Sequence, residues 1–408
     1  MPWYENNDHT AKCSHVEQEC ILAKQSKRSI WYPALLLWLG TVFLSFLFPL
    51  PVFADGGAPN LAYIAGSKQG ISVIDVSKQS ITTTFTVGGD PQALYLSTDG
   101  RFLYVAQPTM DQVSMLAAGT GQVVCSVHLA GNPSLMAFDP ATSTLFVAGK
   151  QSRTITRIDA STCHVSLTIE TKDVVTGLAI NEFVISGQKN QLWVANGTQL
   201  AIFDTKTGEL LATVPFPGNP QALSLPQGRW IYVTTGQGDI DAVSLQSPYR
   251  IFHLLSGGQF GRMDFDQISG EIYVPDQALH QLDVLVPPDP DSAQAPQEPA
   301  HIYHLNAAPQ SVAITSDGAF AFVAFNTGQV VMLDIFARQI VNTFTVGGSP
   351  HFVITGLYPP IVGTTPQQAS LTSMLSTIGA YALIIPLILL PLWLGLRKRR
   401  RGKIASDR

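Results

Sequence analysis

The chain of 408 residues has 46% hydrophobic and 13% charged residues, which is ample material for a large core. The charged share is well below the roughly 25% of ordinary soluble domains, and this indicates membrane segments or a β-rich body. The net charge of −5 is too small to favour nucleic acid as a partner. No basic patch with interleaved aromatic residues occurs in the body of the chain, so we expect no nucleic-acid function.

Residues 1–54 have the organisation of an export signal. A polar region ends at the basic residue Arg28, and an uncharged apolar run covers Ile30–Phe48. Small residues then end the segment, which predicts a cleavage site after Ala54. Because the polar leader is long for a signal peptide, an uncleaved signal anchor is the alternative. Both alternatives predict a cytoplasmic leader and an exported body.

The other end of the chain predicts a membrane anchor. Residues 370–396 carry no charge and are long enough to cross about 30 Å of hydrocarbon as a helix. The tail, residues 397–408, begins with a cluster of basic residues that is typical of the cytoplasmic side. Residues 358–369 are rich in proline, which indicates a semi-extended spacer. We expect a single-pass protein of the cell membrane whose body lies on the extracytoplasmic side.

Between these ends, one sequence pattern recurs. The hexapeptide Thr-Phe-Thr-Val-Gly-Gly at Thr84–Gly89 returns unchanged at Thr343–Gly348, and a proline follows shortly after each copy. Aligning the chain on this proline defines seven anchor positions at intervals of about 40 to 49 residues, the period of a propeller blade. The anchors are Pro91, Pro133, Val175, Pro220, Phe260, Pro309 and Pro350. The longest interval contains a proline-rich insertion at residues 286–300.

Each interval holds four short runs of alternating apolar residues, which predicts four-stranded units and an all-β fold. After Pro350 only one run remains, at residues 351–356, whereas three runs lie before the first anchor, between residues 60 and 87. One strand from the C-terminal end and three from the N-terminal end then make a composite closing blade. We predict a seven-bladed β-propeller over residues 55–357. Third strands often end in an Asp that is expected to cap the next turn, namely Asp75, Asp159, Asp204 and Asp334.

The repeat also resembles a known family. Gly-Gly-x-Pro, an apolar run, Ser-x-Asp-Gly and Tyr-Val-Ala, as found in Gly88–Ala106, are similar to the YVTN repeat of surface-layer-type propellers, which are related to phosphogluconolactonase-like propellers. The likeness extends over about residues 60–356 and is most specific at Ser97–Gly100 and Thr315–Gly318. It implies the propeller fold strongly and a function only weakly, because propellers support many unrelated activities.

Candidate binding residues follow from strand alternation. It places the connections that lead into each blade, and those between its second and third strands, on one face, which we call the upper face. The residues directly after the anchors are expected at the mouth of the central tunnel, namely Gln92, Ser134, Thr176, Gln221, Gly261, Gln310 and His351. We predict that a partner or ligand contacts Gln92, Gln221, Gln310 and His351, together with the loop residues Lys150 and Arg153. The alternative is a hydrated tunnel without a ligand.

These features favour a non-catalytic binding or scaffold propeller whose upper face meets a protein, a glycan or an envelope component. The alternative is an extracytoplasmic enzyme such as a sugar-lactone hydrolase, with His351 as general base and Asp90 or Asp276 near it. No carboxylate in the ring after the anchors is placed to orient His351, which favours the non-catalytic hypothesis. No metal-ligand pattern and no cofactor motif occurs in the body of the chain, so we expect neither.

Two cysteines lie in the repeat region. Cys125 and Cys163 fall on predicted strands of neighbouring repeats. A disulfide between them is one alternative in an exported protein, but a pair of small buried thiols is the expectation from the sequence.

Overall fold

The computed structural model describes residues 60–149, 151–181, 190–226, 229–289 and 298–357. The predicted leader, spacer, membrane span and basic tail lie outside these residues, and so does Lys150. Within the described ranges, no helix combines the length and the apolar composition that a membrane crossing requires. The domain boundaries proposed for both ends of the chain therefore stay predictions.

The described residues form seven antiparallel sheets of four strands each, which confirms the predicted seven-bladed propeller. The closing blade contains β1 (Asn60–Ser67), β2 (Gly70–Asp75) and β3 (Ser80–Thr86). Blade 1 contains β4 (Ala93–Leu96), β5 (Phe102–Gln107), β6 (Gln112–Ala117) and β7 (Val123–His128), and blade 2 contains β8 (Pro133–Asp139), β9 (Thr144–Gly149), β10 (Thr154–Asp159) and β11 (His164–Glu170). Blade 3 contains β12 (Val175–Asn181), β13 (Gln191–Asn196), β14 (Gln199–Asp204) and β15 (Leu210–Pro215), and blade 4 contains β16 (Pro220–Ser224), β17 (Trp230–Thr235), β18 (Asp239–Ser244) and β19 (Ile251–Ser256). Blade 5 contains β20 (Asp264–Phe265), β21 (Ile272–Asp276), β22 (Gln281–Leu285) and β23 (His301–His304), and blade 6 contains β24 (Pro309–Ile314), β25 (Phe320–Phe325), β26 (Gln329–Asp334) and β27 (Gln339–Thr345). The last strand, β28 (Phe352–Leu357), returns to the closing blade, and a short 3-10 helix, Pro108–Met110, connects β5 to β6.

The closing blade is composite, as the count of strands predicts. Its strand order is β28-β1-β2-β3, so one strand from the C-terminal end pairs with three from the N-terminal end. The antiparallel register of β1 and β28 runs from Asn60 opposite Leu357 to Ala65 opposite Phe352. The two ends of the described propeller therefore lie side by side, at the end of these strands that is remote from His351.

Burial is highest in the middle strands of a blade and lowest in the outer strand. Every residue of β2 is buried, whereas β3 exposes all of its residues except Phe85. Phe85 packs with Tyr63, Ile71 and Leu94 in a cluster that joins the closing blade to blade 1. Because both faces of the middle strands pack on neighbouring blades, these strands are largely apolar, while the outer strand can be rich in threonine.

Blade 5 departs from the expected pattern at its inner strand. The strand β20 has only two residues, and Phe260 forms an isolated bridge to Asp276 instead of extending the ladder. The backbone of Arg262 pairs in parallel with Ser311 of blade 6. Its N–H donates to the carbonyl of Gln310 at 3.1 Å. The start of blade 5 is therefore held by the next blade as well as by its own sheet.

The aspartates that end the third strands cap turns, as predicted. Carboxylate oxygens of Asp75, Asp159, Asp204 and Asp334 accept hydrogen bonds from backbone N–H groups two or three residues further on. The hydroxyl and backbone N–H of Ser161 lower the pKa of Asp159 below its ordinary value. These carboxylates stabilise the turns and are not available for chemistry at the tunnel.

The expectation of free thiols at Cys125 and Cys163 is wrong. The two residues form a disulfide with their Cα atoms 6.2 Å apart, inside the usual range for such a bond. Cys125 lies on β7 at the outer edge of blade 1, and Cys163 lies in the turn between β10 and β11 of blade 2 instead of on a strand. Sequence spacing cannot reveal this contact, because it depends on how the hairpin of one blade meets the edge of its neighbour.

Candidate functional site

The inner strands of the seven blades enclose a central tunnel. Its cavity has a volume of about 860 Å³, and every blade contributes to the lining. Much of the lining is apolar and includes Leu135, Met136, Leu223 and Met263. The side chains with polar or charged groups are Tyr95, Gln151, Thr176, Gln221, Arg262, Asp264, Gln267 and Thr355.

The three glutamines predicted at the tunnel mouth are half-buried and turn back onto their own loops. The amide of Gln92 donates to the carboxylate of Asp90 at 2.8 Å. The amide of Gln310 donates to the carbonyl of Ala308 at 3.2 Å, and that of Gln221 lies 3.5 Å from the carbonyl of Asn219. Gln221 also lines the tunnel. Their contact with a ligand stays a prediction, and the structure shows that each has a local partner.

His351 joins two blades at the mouth of the tunnel. Its Nδ1 lies 2.8 Å from the carbonyl oxygen of Ser349, and its Nε2 lies 2.7 Å from the carbonyl oxygen of Pro91. Because both ring nitrogens face carbonyl oxygens, neither presents a lone pair to a substrate in this arrangement. Asp276 accepts hydrogen bonds from the N–H groups of Ala278 and Leu279, so it acts as a turn cap.

Arg153 is exposed in a loop of blade 2. Its carbonyl accepts hydrogen bonds from the N–H and the hydroxyl of Thr171, at 2.8 and 2.9 Å, which ties the two ends of the β10–β11 hairpin together. The backbone is thus fixed while the guanidinium is presented to solvent. Arg153 remains a candidate contact for a partner.

Two charged residues of the tunnel wall were missed by the sequence reasoning, and the first is Arg262. Its Nη2 donates to the carbonyl oxygen of Ser134 on β8 at 3.3 Å. The guanidinium carbon lies 4.5 Å from the centroid of the Phe352 ring on β28. Since blades 5, 2 and the closing blade are not neighbours in the ring, the side chain extends across the tunnel.

The second missed residue is Asp264, on the short strand β20. Its Oδ2 accepts a hydrogen bond from the N–H of Ile314 on the next blade at 2.8 Å. Burial raises the pKa of this carboxyl to about 6, and the N–H groups of Ile314 and Phe265 oppose that rise. Burial also lowers the pKa of Arg262 to about 10. Among the described residues, no carboxylate lies within ion-pair distance of Arg262.

A signal for both residues exists in the repeat alignment. The second position after each anchor carries small or apolar side chains in six blades and arginine in the fifth: Ala93, Leu135, Gly177, Ala222, Arg262, Ser311 and Phe352. The fourth position is likewise uncharged except in blade 5: Tyr95, Ala137, Ala179, Ser224, Asp264, Ala313 and Ile354. A charge at an inner-strand position that is otherwise uncharged marks the tunnel.

Comparison with known proteins supports the fold. A model of the LVIVD repeat matches residues 59–84, which contain β1, β2 and most of β3 of the closing blade. No protein with a curated function matches the chain in sequence. The YVTN resemblance is therefore not confirmed, whereas a propeller built of repeats is.

Several solved structures share the fold at low sequence identity. A Bacteroides uniformis protein provisionally assigned as a 6-phosphogluconolactonase aligns with a TM-score of 0.59 at 14% identity, covering 73% of this chain and 100% of that one. AztD of Citrobacter koseri aligns with a TM-score of 0.56 at 12% identity, covering 74% and 98%. Hydrazine synthase of Kuenenia stuttgartiensis aligns with a TM-score of 0.55 at 16% identity, covering 73% and 99%. At these identities the likeness shows the fold alone.

The half-buried carboxyl of Asp264 predicts a dependence of stability on pH. Its pKa is about 6 in the folded protein, above the value of about 3.9 in an unfolded chain, so the folded state binds this proton more tightly. The resulting stabilisation is fully present below about pH 4 and is lost as the pH rises through about 6. Between pH 4 and pH 7, the free energy of unfolding of the wild type should therefore fall by about 2 to 3 kcal/mol more than that of Asp264→Asn, which does not titrate at this position.

Urea unfolding at a series of pH values measures this difference. The pKa of Asp283 is also raised to about 6 by burial, but that residue titrates in both proteins and cancels from the comparison. Parallel pH profiles for the two proteins would contradict the assignment of a raised pKa to Asp264.

Proposed function

We propose that the protein is a membrane-anchored, extracytoplasmic propeller that binds a protein or glycan partner through its upper face and does not catalyse a reaction. The observation that carries the proposal is the state of the tunnel mouth. The only imidazole that the sequence places there, His351, has both nitrogens against backbone carbonyls, and Asp276 is occupied as a turn cap. A general base for lactone hydrolysis is therefore not supported at this position.

The proposed location rests on the sequence of the chain ends and on one structural feature. The disulfide between Cys125 and Cys163 is typical of proteins exposed to an oxidising compartment. The signal at residues 1–54, the spacer at 358–369, the span at 370–396 and the tail at 397–408 complete the proposal.

The direction in which the propeller faces also supports it. Asn60 and Leu357 pair at the end of the closing blade that is remote from the upper face, so both chain segments leave on the same side. A membrane anchor attached through residues 358–369 would lie below the propeller. The upper face would then point away from the membrane, where a partner can reach it.

Crosslinking on whole cells tests the proposal with a matched pair of variants. Arg153→Glu reverses a charge in an exposed upper-face loop, and Arg101→Glu does the same in the exposed hairpin between β4 and β5 on the opposite face. We expect the wild type and Arg101→Glu to recover the same partner, and Arg153→Glu to recover several-fold less. Equal recovery by both variants would contradict binding at the upper face.

A hydrolysis assay distinguishes the enzyme hypothesis from the non-catalytic proposal. The purified full-length protein is incubated with a sugar lactone and compared with His351→Ala, whose folding is checked by circular dichroism. We expect no turnover above the uncatalysed rate. Turnover that the folded His351→Ala variant loses would overturn the non-catalytic proposal.

A further inference from the structure

Arg262 is a cation held inside the tunnel without a counter-ion among the described residues. A guanidinium has five N–H donors, and the described contacts use Nη2 for the carbonyl of Ser134. The ring of Phe352 lies against the guanidinium, with its centroid 4.5 Å from the guanidinium carbon, and covers one side of the group. A charge that is withdrawn from water is unfavourable unless it is paired, and Arg262 is half-buried in the tunnel wall, so this geometry is suited to an anion from solution.

The surroundings of Arg262 define the kind of anion. The tunnel has a volume of about 860 Å³, within the range of pockets that hold small organic molecules. Leu135 and Met136 of blade 2 line it, as do Leu223 of blade 4 and Met263 beside the arginine. A cavity that has an apolar part of the wall beside one fixed cation matches a ligand with one anionic group and an apolar body.

Asp264 restricts the charge that the ligand can carry. Its carboxyl lines the same tunnel and is ionised above about pH 6. A second carboxylate on the ligand, or the charge of a phosphate dianion, would meet this negative group in a poorly screened space. The tunnel therefore disfavours dianions relative to monoanions.

We propose that the central tunnel binds a small organic monocarboxylate, with its carboxylate on Arg262 and its apolar body against the leucine and methionine side chains. The planar guanidinium can donate two parallel hydrogen bonds to a carboxylate while it stays against the ring of Phe352. Arg262 lies in the tunnel wall, whereas Arg153, which tests the partner proposal, is in an exposed loop outside the tunnel lining, so each of the two proposals can fail alone.

Isothermal titration of the full-length protein in lipid nanodiscs tests the site with hexanoate as the probe. Hexanol serves as the neutral analogue, and succinate and inorganic phosphate serve as the anions that Asp264 should disfavour. The variant is Arg262→Gln, and the matched control is Arg250→Gln, because Arg250 also lies against a phenylalanine, with its guanidinium 4.7 Å from the ring of Phe252. Empty nanodiscs correct for partition of the probes into lipid.

We expect hexanoate to bind the wild type and Arg250→Gln equally and to lose at least about tenfold in affinity in Arg262→Gln. Hexanol, succinate and phosphate should bind more weakly than hexanoate to the wild type. Arg262→Lys keeps the charge without the planar fork and should show an intermediate affinity, which provides a test if Arg262→Gln does not fold. The proposal would be overturned if the wild type did not bind hexanoate, or if the Arg262 variants bound hexanoate as tightly as the wild type does. Binding of phosphate in preference to hexanoate would also overturn it.

Discussion

Deletion of residues 60–87 is expected to abolish the folded state. The deletion removes β1, β2 and β3 and leaves β28 as the only strand of the closing blade. It removes Ala62 and Ile64 from the cluster that includes Phe322 of blade 6, and Tyr63 and Ile71 from the cluster shared with blade 1. The facing sides of blades 6 and 1 would then expose large apolar surfaces and unpaired strand edges.

Thermal unfolding followed by circular dichroism measures this result. We expect the deletion variant to aggregate or to show no cooperative transition, whereas the full-length protein melts cooperatively. A deletion variant that is exported and melts like the full-length protein would contradict the closure of the ring by residues from both ends.

A pair of glycine variants tests the seam of the closing blade, where β1 pairs with β28, without removing a strand. Gly66 and Gly257 have φ angles of +81° and +84°, so an alanine at either position carries a similar backbone strain. A Cβ at Gly66 would overlap the carbonyl oxygen of Ser349 and the ring of His351, whereas a Cβ at Gly257 meets nothing within 4 Å. We expect a loss of about 1 kcal/mol in the free energy of unfolding for Gly257→Ala and about 3 kcal/mol or more for Gly66→Ala. Equal losses would show that the seam tolerates the added atom.

The fold was accessible from the sequence because a propeller repeats its local chemistry. The hexapeptide at Thr84–Gly89 and its copy at Thr343–Gly348 mark equivalent turns, and alternating apolar runs between the anchors mark the strands. The composite blade followed from a remainder of one strand at one end and three at the other, and the pairing of β28 with β1 confirms it. The aspartate caps were predictable because each acts on its own turn.

The tunnel site was not accessible in the same way, since its contacts join blades that are far apart in the chain. The hydrogen bond from Arg262 to Ser134 connects residues 128 positions apart, and that from His351 to Pro91 connects residues 260 positions apart. Periodicity predicts which residues lie at equivalent heights in the tunnel, but it does not predict which side chain reaches across it. The loss of the anchor proline at Phe260 was seen in the sequence, but the two-residue strand β20 that follows it was not.

Loss of the disulfide is expected to lower the free energy of unfolding by about 4 kcal/mol, because the bond restricts an unfolded loop of 38 residues. The variant is Cys125→Ser combined with Cys163→Ser. Both cysteines are half-buried at the rim of blades 1 and 2, so the change of sulfur to oxygen itself has a small effect on packing. The measurement is urea unfolding of the wild type and the double variant, each with and without a reducing agent.

The four measurements distinguish the bond from the packing of its residues. The reducing agent should lower the stability of the wild type to about that of the double variant and should leave the double variant unchanged. If the oxidised wild type and the double variant were equally stable, the cysteines would not be bonded in the protein as isolated, and the expectation of free thiols would return. A bonded pair in protein taken directly from cells would in turn support export of the propeller, because reducing compartments seldom maintain such a bond between neighbouring blades.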